Sequence, residues 1–182
     1  LKSLNKIKDF TLASAINDNP KIPNYKFYEV SEENEEFLSV DSIDGFSMFF
    51  NLKKFTDNNF FDENFFLYLE NDDLCLRVKK NGGNIYVVKN STINHKGSIS
   101  KNNNLEYLRN WHWMWSKFYY NKKHNNFLIG ILKILPNFIS GCFKFLYYLL
   151  TFNSHKKKIA KMRICGIYSS VLGKKSSYRI EN

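Results

Sequence analysis

A short acidic cluster and a later histidine are the side chains best suited to chemistry. Glu70, Asp72 and Asp73 lie within four consecutive positions, and His95 follows them in the next loop. A positioned carboxylate can accept the proton of an attacking hydroxyl, and such a general base contributes roughly 10²- to 10⁴-fold to a rate. An imidazole is a suitable ligand for a divalent metal ion that neutralises a leaving phosphate. These residues are therefore candidates for a base and a metal ligand.

The acidic cluster also has a purely structural interpretation. Asn71 is a favourable N-cap, Asp72 and Asp73 suit the positive end of a helix dipole, and Asp73 is spaced to pair with Arg77 at i,i+4. Considered alone, the cluster fits a helix start better than a catalytic site. In the same way, His95 alone fits an ordinary loop histidine. What surrounds the cluster must decide between the two interpretations.

The elements predicted around the cluster are three strands and one short helix. Apolar runs predict strands over 10–16, 46–52 and 84–89, and the spacing of apolar residues predicts a helix over 72–81 that Gly82 ends. An irregular connection at 17–25 and a solvated acidic run at 29–36 complete this half of the chain, and the remainder is predicted to be helical. The acidic helix start and the His95 loop border the same predicted strand. We therefore expect them to converge on one cleft beside Gly45.

The motifs occur in a recognisable order. Residues 62–77 read DENFFLYLENDDLCLR, and Gly82, Gly83, a strand and His95 follow. This arrangement resembles the signature of rhamnosyltransferase-like family 2 glycosyltransferases of bacterial type. In that family a Phe-Asp-Glu-x-Phe-Phe segment precedes a Glu-Asp-x-Asp-Leu motif that opens a helix, a glycine ends the helix, and a histidine follows the next strand. The resemblance covers roughly residues 1 to 120 and favours function over helix capping.

The resemblance implies a fold and an activity. The fold is α/β: the C-terminal part of a glycosyltransferase A-type (nucleotide-diphospho-sugar transferase) domain, with a mixed sheet followed by C-terminal helices. The activity is transfer of a sugar with inversion, rhamnose being one candidate, from a nucleotide-sugar to a lipid-linked or cell-envelope polysaccharide acceptor. The base would be Asp73, Asp72 or Glu70, and His95 would bind Mg²⁺ or Mn²⁺. The substrate-binding positions would be Asp44, Gly45, Phe46 and Arg77.

Two departures from the family pattern qualify this expectation. Asn71 occupies the second acidic position of the motif and cannot act as a base. The family's nucleotide-binding half, with its Asp-x-Asp metal motif, has no counterpart here, and the opening at Leu1 resembles a cut edge. We therefore expect this chain alone to be incomplete and inactive. A noncatalytic, membrane-associated scaffold with the same fold is the alternative.

Charge divides the chain into two parts. Residues 1–100 contain 12 Lys or Arg against 15 Asp or Glu, whereas residues 101–182 contain 15 against 2. We predict a catalytic-domain part over 1–105 and a basic, amphipathic helical tail over 106–182. A basic module could bind nucleic acid, but its cations flank an apolar stretch and no nucleic-acid motif is present, so this alternative is less favoured.

The apolar stretch at 127–152 is long enough to span a bilayer, but it contains polar residues. At 100° per residue they form one narrow stripe: Lys133, Asn137, Ser140 and Lys144. This pattern predicts a peripheral helix on the anionic cytoplasmic face of the inner or plasma membrane. Helices packed on the catalytic domain with solvated lysines are the alternative.

The remaining motifs exclude several classes. The three cysteines, Cys75, Cys142 and Cys165, are odd in number and far apart, so they predict neither a disulfide framework nor a zinc knuckle. No P-loop, GxGxxG or GxSxG sequence occurs, which leaves nucleotide hydrolysis, dinucleotide binding and serine hydrolase chemistry without support.

Overall fold

The computed structural model describes residues 10–17, 25–26, 36–55, 60–95 and 102–180. The chain separates into two compact units: Leu1–Asp62 with Glu70–Ser98, and Glu63–Leu69 with Ile99–Asn182. The main division therefore falls after Ser98, compared with the expected boundary at 105. The aromatic segment just before the acidic cluster belongs to the second unit.

Within the described residues, the first unit contains a four-stranded mixed sheet. Strands β1 (Leu12–Asn17) and β6 (Ile85–Ile93) pair in parallel at its centre. Two short antiparallel strands complete the order β3-β6-β1-β5: β3 (Phe37–Ser39) pairs with β6, and β5 (Phe49–Phe50) pairs with β1. Two further strands, β2 (Tyr25–Lys26) and β4 (Ser42–Ile43), pair antiparallel in a separate ribbon.

Helix α1 (Glu70–Lys80) supplies one side of the core of the first unit. Its apolar residues Leu74, Cys75 and Val78 share a buried cluster with Ile85 and Val87 of β6. The alternate β6 residues Tyr86 and Val88 belong to a second cluster, since successive strand residues point to opposite faces. A mixed sheet with a packed helix is the predicted α/β class.

The strands predicted at 10–16 and 84–89 are confirmed, and the second extends to Ile93. The strand predicted over 46–52 is wrong in length, because only Phe49–Phe50 pairs with β1 and a 3₁₀ turn, Leu52–Lys54, follows at once. An apolar run alone does not show where pairing stops. The connection at 17–25 and most of the acidic run at 29–36 lie outside the described residues.

Helix α1 begins two residues earlier than predicted and ends at Lys80, one residue before the predicted end. Gly82 has φ +74°, a left-handed conformation that glycine adopts without steric cost. The Gly82 N–H donates to the Lys79 carbonyl and the Gly83 N–H to the Val78 carbonyl, so the last turn of the helix is closed.

The second unit is predominantly helical, as expected. Helices α2 (Asn103–His124), α3 (Phe127–Leu150) and α4 (Ser154–Val171) each begin after an asparagine whose side-chain oxygen accepts a backbone N–H of the first turn. These three N-caps are Asn102, Asn126 and Asn153. Pro136 lies inside α3, which continues through it.

The helices of the second unit meet around a buried cluster of Met114, Phe118, Ile134 and Ile167. Helices α2 and α4 approach each other closely at Gly166, where an added Cβ would lie 2.2 Å from the carbonyl oxygen of Trp111. Only glycine fits there, because a main-chain carbonyl cannot rotate away like the end of a side chain.

The C-terminal segment is attached to α2 through His112. The two ring nitrogens of His112 lie 2.8 Å from Ser176 Oγ and 2.8 Å from the Tyr178 carbonyl oxygen. Because a carbonyl only accepts, Nε2 carries a proton. Burial lowers the pKa of His112 and so favours the neutral ring, in which Nδ1 accepts from the serine hydroxyl.

Candidate functional site

The candidate site is the first turn of α1, which contains Glu70, Asp72 and Asp73. The two residues immediately before it, Tyr68 and Leu69, have φ values of 71° and 67°. Left-handed backbone at non-glycine residues costs of order 1–3 kcal/mol each and often occurs at functional sites. The chain therefore enters α1 through a strained turn, and this turn fixes the backbone direction at Glu70, the first residue of the helix.

Asp73 is fully buried, with 0% of its surface exposed. Its Oδ2 lies 2.9 Å from Arg77 Nε, so the predicted i,i+4 ion pair is confirmed. Arg77 Nη2 also donates to the Phe60 carbonyl. These contacts direct the Asp73 carboxylate and much of the Arg77 guanidinium toward protein groups.

Asp72 and Asn71 connect the first turn of α1 to strand β4. Ser42 Oγ donates to Asp72 Oδ1 at 2.9 Å, and Asn71 Nδ2 donates to the Ile43 carbonyl at 3.0 Å. Asn71 lies inside the helix, so its interpretation as the N-cap is wrong. Its amide instead satisfies a strand carbonyl, which an aspartate could not do.

Glu70 has a different environment from its two acidic neighbours. Burial is the largest influence and raises the pKa of its carboxyl group above 4.5, and the charge of Asp72 raises it further. A hydrogen bond with its own backbone N–H acts in the opposite direction. Its Oε2 is buried, and among the buried side-chain nitrogen and oxygen atoms of the described residues it is the one that lacks a hydrogen-bond partner. Glu70 therefore combines a raised proton affinity with an unused acceptor.

The turn at Asp44–Ser47 brings the second half of the predicted site beside the first. A Cβ added to Gly45 would lie 3.8 Å from the Cβ of Asn71, so Gly45 faces the first turn of α1. The next residue, Phe46, stacks on His95, with ring centroids 4.1 Å apart and planes 4° from parallel. Gly45 thus adjoins the acidic start of α1, and Phe46 adjoins the histidine loop.

The described residues do not form a complete metal site. Over the described ranges, no group of three or more His, Cys, Asp or Glu side chains is placed to hold a metal ion. His95 is exposed and its ring face is covered by Phe46. A single imidazole is too small a ligand set for Mg²⁺ or Mn²⁺, which prefer several oxygen ligands.

Some members of the site had no signal in the sequence. Ser42 precedes Asp72 by 30 positions, and its hydroxyl reaches that carboxylate only because β4 lies against α1. The left-handed turn at Tyr68 and Leu69 contains no glycine or asparagine, the residues from which such a turn is usually predicted.

Comparison of the chain with protein-family models, with curated protein sequences and with solved structures gave no match.

The contact of Asn71 with β4 gives a stability prediction. We expect Asn71→Asp to lower the free energy of unfolding by about 1–3 kcal/mol, because it removes a donor and leaves the Ile43 carbonyl facing a carboxylate. Urea denaturation measures the difference. Asn110→Asp is the matched control, since its Nδ2 donates to a carbonyl at an exposed position. Equal stability of the Asn71→Asp variant and the parent would contradict the assigned contact.

Proposed function

We propose that this chain supplies the acceptor side of an inverting glycosyltransferase, with Glu70 as the general base. The reaction would transfer a sugar, rhamnose being one candidate, from a nucleotide-sugar to a glycan or lipid-linked acceptor of the cell envelope. The observation that carries the proposal is the environment of Glu70. A partly buried carboxylate with a raised pKa and an oxygen that lacks a hydrogen-bond partner is suited to removing a proton from a hydroxyl.

In the proposed step, the acceptor hydroxyl oxygen attacks the anomeric carbon of the donor sugar. The new C–O bond forms on the face opposite the leaving group, so the configuration inverts. The hydroxyl proton passes to the carboxylate of Glu70, whose side chain is only partly buried, and the nucleoside diphosphate departs with the electron pair of the broken bond. Removing the proton in the transition state is worth roughly 10²- to 10⁴-fold in rate.

Of the three candidate carboxylates, Glu70 has the strongest support. Asp73 has no exposed surface and is paired with Arg77, so an acceptor hydroxyl could not reach it without a rearrangement. Asp72 accepts a hydrogen bond from Ser42, and its charge helps to raise the pKa of Glu70. We therefore assign structural roles to Asp73 and Arg77 and a supporting electrostatic role to Asp72.

The substrate-facing wall would be the turn at Asp44, Gly45 and Phe46. Gly45 has no side chain, so a sugar can approach the backbone beside the first turn of α1. The Phe46–His95 stack would border the same space. In the proposal the fold is the C-terminal part of a glycosyltransferase A-type domain. The nucleotide and the principal metal ligands would belong to the other half of that domain, and no step here is assigned to a metal.

The helical unit supports an envelope location for the acceptor. Residues 102–180 contain 14 Lys or Arg and one Glu, a composition that favours an anionic surface. We propose that the protein works as a peripheral protein at the cytoplasmic face of the membrane, where lipid-linked acceptors are exposed. Nucleic acid remains the less favoured partner.

Release of nucleoside diphosphate tests the proposal directly. We expect the polypeptide encoded by the complete reading frame to release nucleoside diphosphate from a nucleotide-sugar only when a glycan or lipid-linked acceptor is added, and residues 1–182 alone to release none. A panel of nucleotide-sugars and envelope glycans, followed by mass analysis of the acceptor, measures both. A folded full-length protein that is inactive with the whole panel would replace the proposal with the noncatalytic scaffold.

A further inference from the structure

Helix α3 presents three different faces along its length. One face is packed within the helical unit and includes Gly130, Ile134 and Gly141, all buried. The second is the polar stripe already predicted, where Asn137 accepts from Lys117 Nζ. The third consists of apolar side chains at spacings of three or four, each 43% to 77% exposed: Leu128, Leu132, Leu135, Ile139, Phe143, Leu146 and Leu150. We call these seven residues the outer stripe.

The outer stripe is long, continuous and without cover in the described chain. Its residues span 22 positions, about 33 Å of helix at 1.5 Å per residue. Soluble proteins rarely leave contiguous apolar surface of this extent in water. Phe152, 91% exposed, lies just beyond its end. The stripe therefore requires an apolar surface as its partner.

An apolar groove adjoins the outer stripe. It lies between α3 and α4, has a volume of about 200 Å³ and is lined only by apolar surface. Ile134 and Ile167 are its buried lining residues. Leu135 belongs both to the groove and to the outer stripe, so the two form one surface.

The charge of the unit identifies the kind of apolar surface. Lys122, Lys123, Lys156 and Lys158 are exposed at the helix ends that flank α3, and Glu106 is the one acidic side chain among residues 102–180. A second copy of the chain would bring these cations against each other. An anionic lipid leaflet offers hydrocarbon to the outer stripe and negative headgroups to the lysines.

A membrane span is the competing geometry. Helix α3 is the one helix in the described ranges that is long and apolar enough to cross a bilayer, with a mean hydropathy of 1.4 and 17% of its most apolar window buried. A span would surround all three faces with hydrocarbon, including Lys133 and Lys144. It would also require α2 and α4, which are rich in lysine, either to leave α3 or to enter the bilayer with it.

We infer that α3 lies parallel to the membrane plane, with the outer stripe and the adjoining groove inserted into the acyl layer of an anionic leaflet. The groove opens toward the acyl layer, and the rest of the face packed against α2 and α4, including Gly130 and Gly141, stays above the surface. This inference specifies the membrane association proposed above and does not depend on the transfer reaction. Vesicle binding is measured without activity, so failure of one proposal is distinguishable from failure of the other.

Vesicle flotation tests the surface. The 182-residue chain should bind phosphatidylcholine vesicles that contain phosphatidylglycerol, and omission of phosphatidylglycerol should weaken binding at least about tenfold. Leu132→Glu and Phe143→Glu should each weaken binding by about tenfold or more, because an apolar side chain that inserts into the acyl layer is replaced by a charged one. Leu52→Glu is the matched control, since Leu52 is 67% exposed in the first unit, and it should leave binding unchanged.

Light scattering and circular dichroism on the same variants separate the alternatives. Each substitution is at an exposed position, so unchanged helix content is expected. If the parent were a dimer that dissociates with Leu132→Glu and neither form bound vesicles, a second copy would be the partner and the inference would be overturned.

Insertion depth separates the in-plane from the spanning geometry. A fluorophore placed at Leu132→Cys, Ile139→Cys or Leu146→Cys, with Cys142 and Cys165 changed to serine and the fully buried Cys75 retained, reports depth through quenching by brominated lipids. Helix geometry puts successive sites about 10 Å apart along the axis. Equal depth at the three sites supports the inference, whereas depths that change along the helix show a span and overturn it.

Discussion

Glu70→Gln is expected to lower the kcat of the proposed transfer reaction by roughly 10²- to 10⁴-fold, with little change in donor affinity. The amide keeps the size of the side chain but cannot accept the proton, so the loss is confined to the transition state. Steady-state release of nucleoside diphosphate and equilibrium binding of the nucleotide-sugar measure the two effects. Glu106→Gln is the matched control: Glu106 is a half-exposed carboxylate that pairs with His155, and its loss should leave kcat unchanged.

The same substitution has a predictable effect on stability. Because the folded pKa of Glu70 is raised, its contribution to stability is fully present below pH 4.5 and is lost as pH rises through the folded value. Glu70→Gln removes this loss, so the variant should equal or exceed the parent in thermal stability at neutral pH. The kcat of the parent should rise with pH through the same raised pKa, since only the carboxylate accepts a proton. A destabilised Glu70→Gln variant would contradict the assigned environment.

Asp73→Ala is expected to lower the free energy of unfolding by about 3 kcal/mol. The substitution removes a fully buried carboxylate from its ion pair with the partly buried Arg77 and leaves the guanidinium without that partner. Urea denaturation followed by circular dichroism measures the loss. The double variant Asp73→Ala/Arg77→Met should recover part of it, because removal of both charges costs less than removal of one.

The activities of the Glu70→Gln and Asp73→Asn variants together test the choice of base. If Asp73→Asn kept the stability of the parent and abolished transfer, Asp73 would be the base and the assignment of Glu70 would be wrong. If both Glu70→Gln and Asp73→Asn retained full activity, the acidic turn would be a structural helix start.

Local signals account for the parts of the fold that could be predicted. Apolar runs located β1 and β6, Gly82 located the end of α1, and the i,i+4 spacing located the Asp73–Arg77 pair. Each of these depends on residues close together in the chain, where periodicity and spacing are informative.

Contacts between distant segments account for what was not predicted. Asn71 reads as a helix cap in sequence, but a strand carbonyl 28 positions away takes its amide. The length of β5 is set by its pairing with β1, which an apolar run does not encode. The choice of Glu70 as the proposed base depended on burial: Asp73 is fully buried and paired, whereas Glu70 has an oxygen without a hydrogen-bond partner.

The contact between Gly166 and the Trp111 carbonyl has a consequence for the helical unit. At this point the two helices touch through main-chain atoms, so this contact depends on dispersion at short range, while apolar side chains such as Met114 and Ile167 pack in the same unit. Helices that associate inside bilayers use the same small-residue contacts, because hydrocarbon provides no hydrophobic force between them. The main-chain contact at Gly166 should therefore be equally strong in water and beside hydrocarbon. This contact can hold α2 and α4 together when one side of the helical unit passes from water to hydrocarbon.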